Sequence, residues 1–191
     1  MNQKNLLEVD WSQIPAPKDD GAADHLVGLA IPPVNLVATD DTSVTLAALR
    51  GRSVVFAYPR TGEPGKISLV DDWDMIPGAR GCTPQTCSFR DLFAELKGAG
   101  AQHVFGLSTQ SNAYQTEMAS RLHLPFPILS DEKLELTRAL DLPTMEVAGL
   151  VLIKRLALII DDGRITHVFY PVFPPDRNAG DVLEWLKENP V

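Results

Sequence analysis

The residues best suited to chemistry are the two cysteines, Cys82 and Cys87, in Gly-Cys-Thr-Pro-Gln-Thr-Cys-Ser-Phe-Arg-Asp, residues 81–91. A loop holding Pro77 and Gly78 precedes this stretch and a helical apolar stripe follows it, so Cys82 is expected at or just before a helix N-terminus. There the free N–H groups and the helix dipole favour a thiolate, the form in which cysteine is a nucleophile. Five residues along an ideal helix rise roughly 7.5 Å with side chains diverging, whereas a disulfide wants Cα atoms about 4.4–6.8 Å apart. On a regular helix Cys87 therefore reaches Cys82 only when the first turn unwinds. Pro84 withholds one N–H and disfavours helical geometry at Thr83, which makes that turn easy to open. A reactive thiol with a second thiol reached by local melting is a two-step redox device.

The elements that position this pair read as follows. Val34–Ala38 is a short strand, and Leu46–Leu49 a brief helix ended by Gly51. Ser53–Tyr58 is a continuous β-favouring run, as in a central buried strand. Residues 60–80 form a long loop with Pro64, Gly65, Pro77 and Gly78, and length alone marks it as functional. Two readings of it stand side by side: a surface excursion anchored by Trp73, or a lid or subunit contact beside Cys82. The helix after the cysteines aligns Phe89, Leu92, Phe93 and Leu96 on one face. Then come a strand at His103–Ser108, a helix with Tyr114, Met118 and Leu122 at steps of four, a strand at Phe126–Leu129, and a helix capped by Asp131. Leu156–Asp161 and Ile165–Tyr170 make a hairpin across Asp162-Gly163, and a final helix carries Val182, Trp185 and Leu186. Alternating strands and helices ending in a hairpin predict an α/β fold, a mixed central sheet with helices on both faces. Residues 1–30 read as an irregular arm pinned by Trp11, and 31–191 as a single domain.

Composition narrows the function. Apolar residues are 45% and charged residues 22% of the 191, ordinary globular values. The net charge is 17 − 25 = −8, with no basic cluster, which speaks against nucleic acid and anionic membranes as partners. No apolar run approaches the ~18 residues of a span, and the first residues lack a signal-peptide core, so a cytoplasmic location is expected. In that compartment a cysteine pair is catalytic, redox-sensing or metal-binding rather than a structural staple. Two cysteines without His-x3–5-His spacing give no zinc site, no metal is expected, and no glycine-rich phosphate loop or other cofactor signature is present. Arg80, two residues before Cys82, reads as a solvated loop residue.

With Gly-Cys-Thr-x-x-x-Cys-x-Phe-Arg-Asp behind a strand ending Tyr-Pro, the chain resembles the peroxiredoxins, most of all the PrxQ or bacterioferritin comigratory protein type. Leu46–Tyr58, Leu124–Asp131 (Leu-Pro-Phe-Pro-Ile-Leu-Ser-Asp) and Arg155–Ile165 (Arg-Leu-Ala-Leu-Ile-Ile-Asp-Asp-Gly-Arg-Ile) carry the same resemblance, over roughly residues 34–187. It implies a thioredoxin-like fold and a thiol peroxidase acting on hydrogen peroxide and organic hydroperoxides. Cys82 then matches the peroxidatic cysteine, Cys87 the resolving one in an intramolecular disulfide, and Arg155 the arginine that holds thiolate and peroxide. Thioredoxin or a similar dithiol is the implied reductant, and a homodimer is compatible with it.

The chain departs from the family motif Pro-x-x-x-Thr/Ser-x-x-Cys. Counting back from Cys82 gives Ala79 and Met75. Pro59 follows the strand correctly, yet residues 60–81 separate it from Cys82 where the motif has six. Thr61 and Thr83 are candidates for the displaced threonine, and Pro77 competes with Pro59 as the motif proline. Cys87 as attacker breaks the match to Cys-x-Phe-Arg-Asp. A redox sensor or binding module on the same fold, switched by Cys82–Cys87, is the alternative function; a general disulfide oxidoreductase lacks its Cys-x-x-Cys.

Overall fold

The structure, a computed structural model, describes residues 9–191; the part of the expected arm before residue 9 lies outside them. Three strands form the parallel centre of the sheet: β3 (Arg52–Ala57), β4 (His103–Ser108) and β5 (Ile128–Ser130). Antiparallel strands flank it, β1 (Leu36–Ala38) and β2 (Ser43–Val44) beyond β5, β8 (Leu156–Asp161) and β9 (Arg164–Phe169) beyond β3. The order is β2-β1-β5-β4-β3-β8-β9. The middles of the central strands, Val54–Ala57 and Val104–Leu107, carry apolar residues on both faces because both faces of the sheet are covered.

The two-residue period of β3 assigns its side chains to two cores. Val55 and Ala57 face a layer with Leu136 and Leu140 of α4 (Glu135–Leu140). Val54, Phe56 and Tyr58 face the opposite layer. There lie α1 (Cys82–Asp91), α2 (Phe93–Gly98), α3 (Asn112–Arg121) and α5 (Asn178–Glu188), represented by Phe89, Leu96, Met118 and Val182. Helices thus cover both faces, in the thioredoxin-like arrangement. Phe89 stacks on Phe56 with ring centroids 4.1 Å apart. Gly106 makes room for this stack, since a Cβ there would stand 2.4 Å from Ile128 Cδ1 and 3.1 Å from Phe56 Cζ. The arm is not separate from the body: Ala23 and Leu26 are buried in the α4-side core.

Several sequence expectations shift in detail. The helix after the cysteines is two helices, broken at Leu92; Phe89 and Leu96 are buried, while Leu92 and Phe93 are half-buried against the same core. β5 spans 128–130 rather than 126–129, because Pro125 and Pro127 cannot donate to a ladder. On α3 the buried residues are Gln115 and Met118, and Tyr114 turns instead toward the 60–80 loop. Asp131 does cap α4, accepting from the N–H groups of Leu136 (3.1 Å) and Thr137 (2.7 Å). One hairpin escaped the sequence reading entirely, β6 (Thr144–Val147) with β7 (Leu150–Ile153). Its turn is Ala148-Gly149, both at positive φ, a tight turn without the Asn-Gly or Asp-Gly signature. This hairpin supports the long loop: Trp73 and Ala79 pack with Val147 and Leu152 in a small third core.

Candidate active site around Cys82

Cys82 is the first residue of α1, behind an N-cap glycine, Gly81, at φ 106°. Only glycine fits there: a Cβ would lie 2.6 Å from Pro175 Cγ and 2.7 Å from the Trp11 ring, in a backbone region other residues rarely adopt. Trp11 is held by an indole N–H bond to Asp176 (2.9 Å) and an edge-on contact with Phe173. The expected pin of the arm is thus a wall behind the start of α1.

Arg155 occupies the short link between β7 and β8, beside the end of β3, where Ala57 pairs with Leu156. It is 2% exposed. Its Nη2 lies 3.3 Å from Cys82 Sγ and also donates to the carbonyls of Gly78, Ala79 and Arg80 at 3.1–3.3 Å. Nη1 donates to Gln85 Oε1 at 2.5 Å, and Gln85 donates onward to Asn178 Oδ1 at 2.9 Å. One planar guanidinium therefore ties together the end of the long loop, the first turn of α1 and, through Gln85, α5. The thiol of Cys82 points back to the Ala79 carbonyl, 3.5 Å away. Tyr58 is fully buried nearby; burial, with the charge of the Cys82 thiolate second, holds its phenol well above the ordinary range, so it stays protonated.

Cys87 also lies on α1, buried and unbonded to Cys82; both thiols are free. Its surroundings differ. Burial pushes the Cys87 thiol up, with the Arg90 charge opposing. The structure brings Cys82 and Arg155 together and keeps Cys87 apart on the same helix.

Cys82 opens onto a cavity of about 40 Å³ walled by Arg60, Thr61, Trp73, Arg80 and Thr83. Both candidate threonines therefore border the thiol. Thr61 is held in place by Gln110, whose Oε1 accepts its N–H (2.8 Å) and hydroxyl (3.1 Å), and by Tyr114, whose hydroxyl donates to its carbonyl (3.0 Å). Of the two prolines, Pro59 leads directly into this Arg60–Thr61 wall, whereas Pro77 lines a different cavity, behind Arg155. The 60–80 loop thus borders the site at both its ends and, through Trp73, in its middle. Arg80 corrects the sequence reading. Its side chain is 14% exposed, not solvated, and pairs with Asp74 at 3.4 Å. Among the described residues no group of His, Cys, Asp and Glu is placed to hold a metal.

Sequence reasoning missed Gln85, Gln110, Gln115 and Asn178. Gln115 and Gln85 occupy buried helical positions where the pattern calls for apolar side chains, and that mismatch was the available signal.

A family model described as Redoxin matches residues 26–183. Among curated proteins, the putative chloroplastic peroxiredoxin Q of Oryza sativa subsp. indica is 29% identical over 161 residues, 84% of this chain. The chain spans 66% of that relative's length. The chloroplastic peroxiredoxin Q of Triticum aestivum is 27% identical over 180 residues, covering 91% of this chain and 75% of its own. Among solved structures, peroxidoxin BcpB from Mycobacterium tuberculosis superposes with a TM-score of 0.68 at 24% identity, over 86% of this chain and 98% of that one. A PrxQ variant from Xylella fastidiosa gives 0.67 at 21% identity, over 85% and 95%. These two superpositions speak for a shared fold.

Proposed function

The chain belongs to the redoxin family and is of the peroxiredoxin Q type, and from that premise we propose that it is a thiol peroxidase with Cys82 as the attacking sulfur. The thiolate attacks one oxygen of a hydroperoxide; the S–O bond forms as the O–O bond breaks, and water or an alcohol leaves with a proton. The sulfenic acid then condenses with the Cys87 thiol, releasing water and forming the disulfide. A dithiol reductant, thioredoxin or a protein like it, restores both thiols by exchange. Arg155 positions the thiolate and the peroxide. Residues 31–191 act as one catalytic domain with residues 1–30 as its arm, and a homodimer is the assembly this reading admits. Among the described residues no helix is long and apolar enough to cross a membrane, and two free thiols suit a reducing compartment such as the cytoplasm.

The observation that carries the reading is the 3.3 Å contact between Arg155 Nη2 and Cys82 Sγ at the first turn of α1. A fixed guanidinium donates from a water-poor site to the atom where charge sits and shifts during attack. The test is steady-state peroxide consumption with a thioredoxin system, together with intact mass and thiol counting. Cys82→Ser abolishes consumption. Cys87→Ser stops recycling by thioredoxin and leaves one oxidation event at Cys82. Undiminished consumption in Cys82→Ser removes the proposal. A wild-type protein that consumes a single equivalent and stops is a sensor rather than an enzyme.

A further inference from the structure

The small cavity at Cys82 has room for little beyond the two peroxide oxygens. It does not end there. A second cavity of about 430 Å³ shares Arg60, Thr61, Gly62, Trp73 and Arg80 with it, so the two meet along a common wall. The remaining walls of the larger chamber come from the 60–80 loop and from Tyr114. Its volume is that of a small-molecule site, and it exists because of the stretch that separates Pro59 from Cys82.

Its lining is part apolar and part cationic. Leu69, Trp73 and the ring of Tyr114 form apolar walls, and Ile67 stands 95% exposed at the edge. Arg60, Lys66 and Arg80 bring three positive charges, two of which meet an acid. Lys66 is paired with Glu63 at 2.7 Å and Arg80 with Asp74 at 3.4 Å. Arg60 has no carboxylate partner among the described residues; its guanidinium lies over the Tyr114 ring, 5.0 Å from the centroid. That leaves Arg60, among the described residues, as the unpaired cation of the chamber, and in a chain of net charge −8 it favours an anionic ligand over a neutral one.

We propose that this chamber is a substrate subsite that takes the organic part of a hydroperoxide bearing a carboxylate, with Arg60 meeting the carboxylate and Leu69 and Trp73 the hydrocarbon. The inference rests on the peroxidase reading, and it names which hydroperoxides that reaction selects. Arg60 is a specificity residue here: it discriminates between substrates of equal size and reactivity by charge.

A matched pair of probes reads that discrimination, cumene hydroperoxide and its para-carboxylate. In the wild-type protein kcat/KM for the carboxylate exceeds that for the neutral compound by about tenfold, the scale of one charge-assisted hydrogen bond, mostly through KM. In Arg60→Gln the ratio falls to near one, in Arg60→Glu below one, and Arg60→Lys recovers part of it. A wild-type ratio of one or less, or a ratio unmoved by Arg60→Gln, overturns the proposal. Hydrogen peroxide turnover is measured alongside, because its absence in the wild type condemns the peroxidase reading instead. Calorimetric binding of para-carboxylated cumyl alcohol, the reduced product, then judges the chamber independently of turnover. Binding weakened about tenfold by Arg60→Gln supports the subsite, and no binding to the wild type refutes it.

Discussion

One helix, α1, holds two thiols in opposite surroundings. At the Cys82 end everything converges on fixed polar groups. Arg155 touches the sulfur, Gln85 joins Arg155 to Asn178, and the Gly81 N-cap is wedged against Trp11 and Pro175. Further along the helix the Cys87 thiol has no hydrogen-bond partner among the described residues, burial favours its protonated form, and the helix stops at Asp91 before restarting at Phe93. Within the same helix Thr86 and Ser88 turn their hydroxyls onto the carbonyls of Cys82 and Gln85, a pattern that competes with regular helix. A nucleophile gains from being held still, whereas a resolving thiol has to travel. The difference teaches that the two steps make opposite demands on one turn, and that Gln85 is where those demands meet.

The comparison is broken most severely at Arg155. Arg155→Ala strips donors from the sulfur, from Gln85 and from three carbonyls at once. Peroxide kcat/KM is expected to fall about a hundredfold or more, the scale for removing a pre-organised donor, and the protein to lose about 3 kcal/mol in denaturant unfolding. Arg155→Lys restores little, since a point charge cannot span acceptors spread over a planar fork. Near-wild-type kcat/KM in Arg155→Ala would show that the fixed end of α1 is structural only.

Gln85 sharpens the comparison with a smaller effect. Gln85→Ala frees the first turn from α5 and leaves Arg155 Nη1 without its short partner. The oxidation step should slow by about tenfold as the arginine loses its setting, with a stability loss of about 1–3 kcal/mol. Formation of the Cys82–Cys87 bridge after one equivalent of peroxide should instead become faster, because the turn opens more readily. Rapid-quench alkylation followed by mass analysis separates the two rates. If both slow together, Gln85 does not mediate between holding and opening.

How much of this was legible beforehand follows from the range of the contacts. Unbroken β-favouring runs place β3, β4 and β8 well and a 3.6-residue period places α5, since burial on two faces or on one imposes those patterns directly on the sequence. Cys82 stands out by residue type and by its place at the start of a helical stripe, Arg155 only through a resemblance to known motifs, and the two stand 3.3 Å apart. Gln85 and Asn178 do not stand out, because their bond joins residues 93 apart in the chain and each looks like an ordinary polar residue alone. The β6–β7 hairpin was hidden by a turn of Ala148-Gly149, where alanine takes a positive φ no propensity favours. Trp73 reads as an anchor from the sequence, but without that hairpin the surface it anchors on, Val147 and Leu152, could not be foreseen.

The smallest predicted effect concerns pH and the Cys87 end alone. Burial raises the Cys87 thiol above its ordinary value, so the folded protein retains a proton there that the unfolded chain has already released. Below the ordinary thiol range of about 8.5 both states are protonated and stability is unaffected. Above it the unfolded chain binds fewer protons than the native one, so stability falls with rising pH until the raised value is passed. Cys87→Ala should remove this decline, seen as a flatter melting temperature as pH rises above the ordinary thiol range of about 8.5. The same proton governs bridging. While α1 stays wound the thiol is neutral and a poor nucleophile; bridging draws on the fraction that is both unwound and ionised. Its rate in the wild-type protein should therefore climb by up to about tenfold per pH unit below the thiol pKa. A bridging rate that stays flat from about pH 6 to 8, below the ordinary thiol range, would mean that Cys87 needs no deprotonation. The contrast between the two ends of α1 would then rest on mobility alone and not on charge.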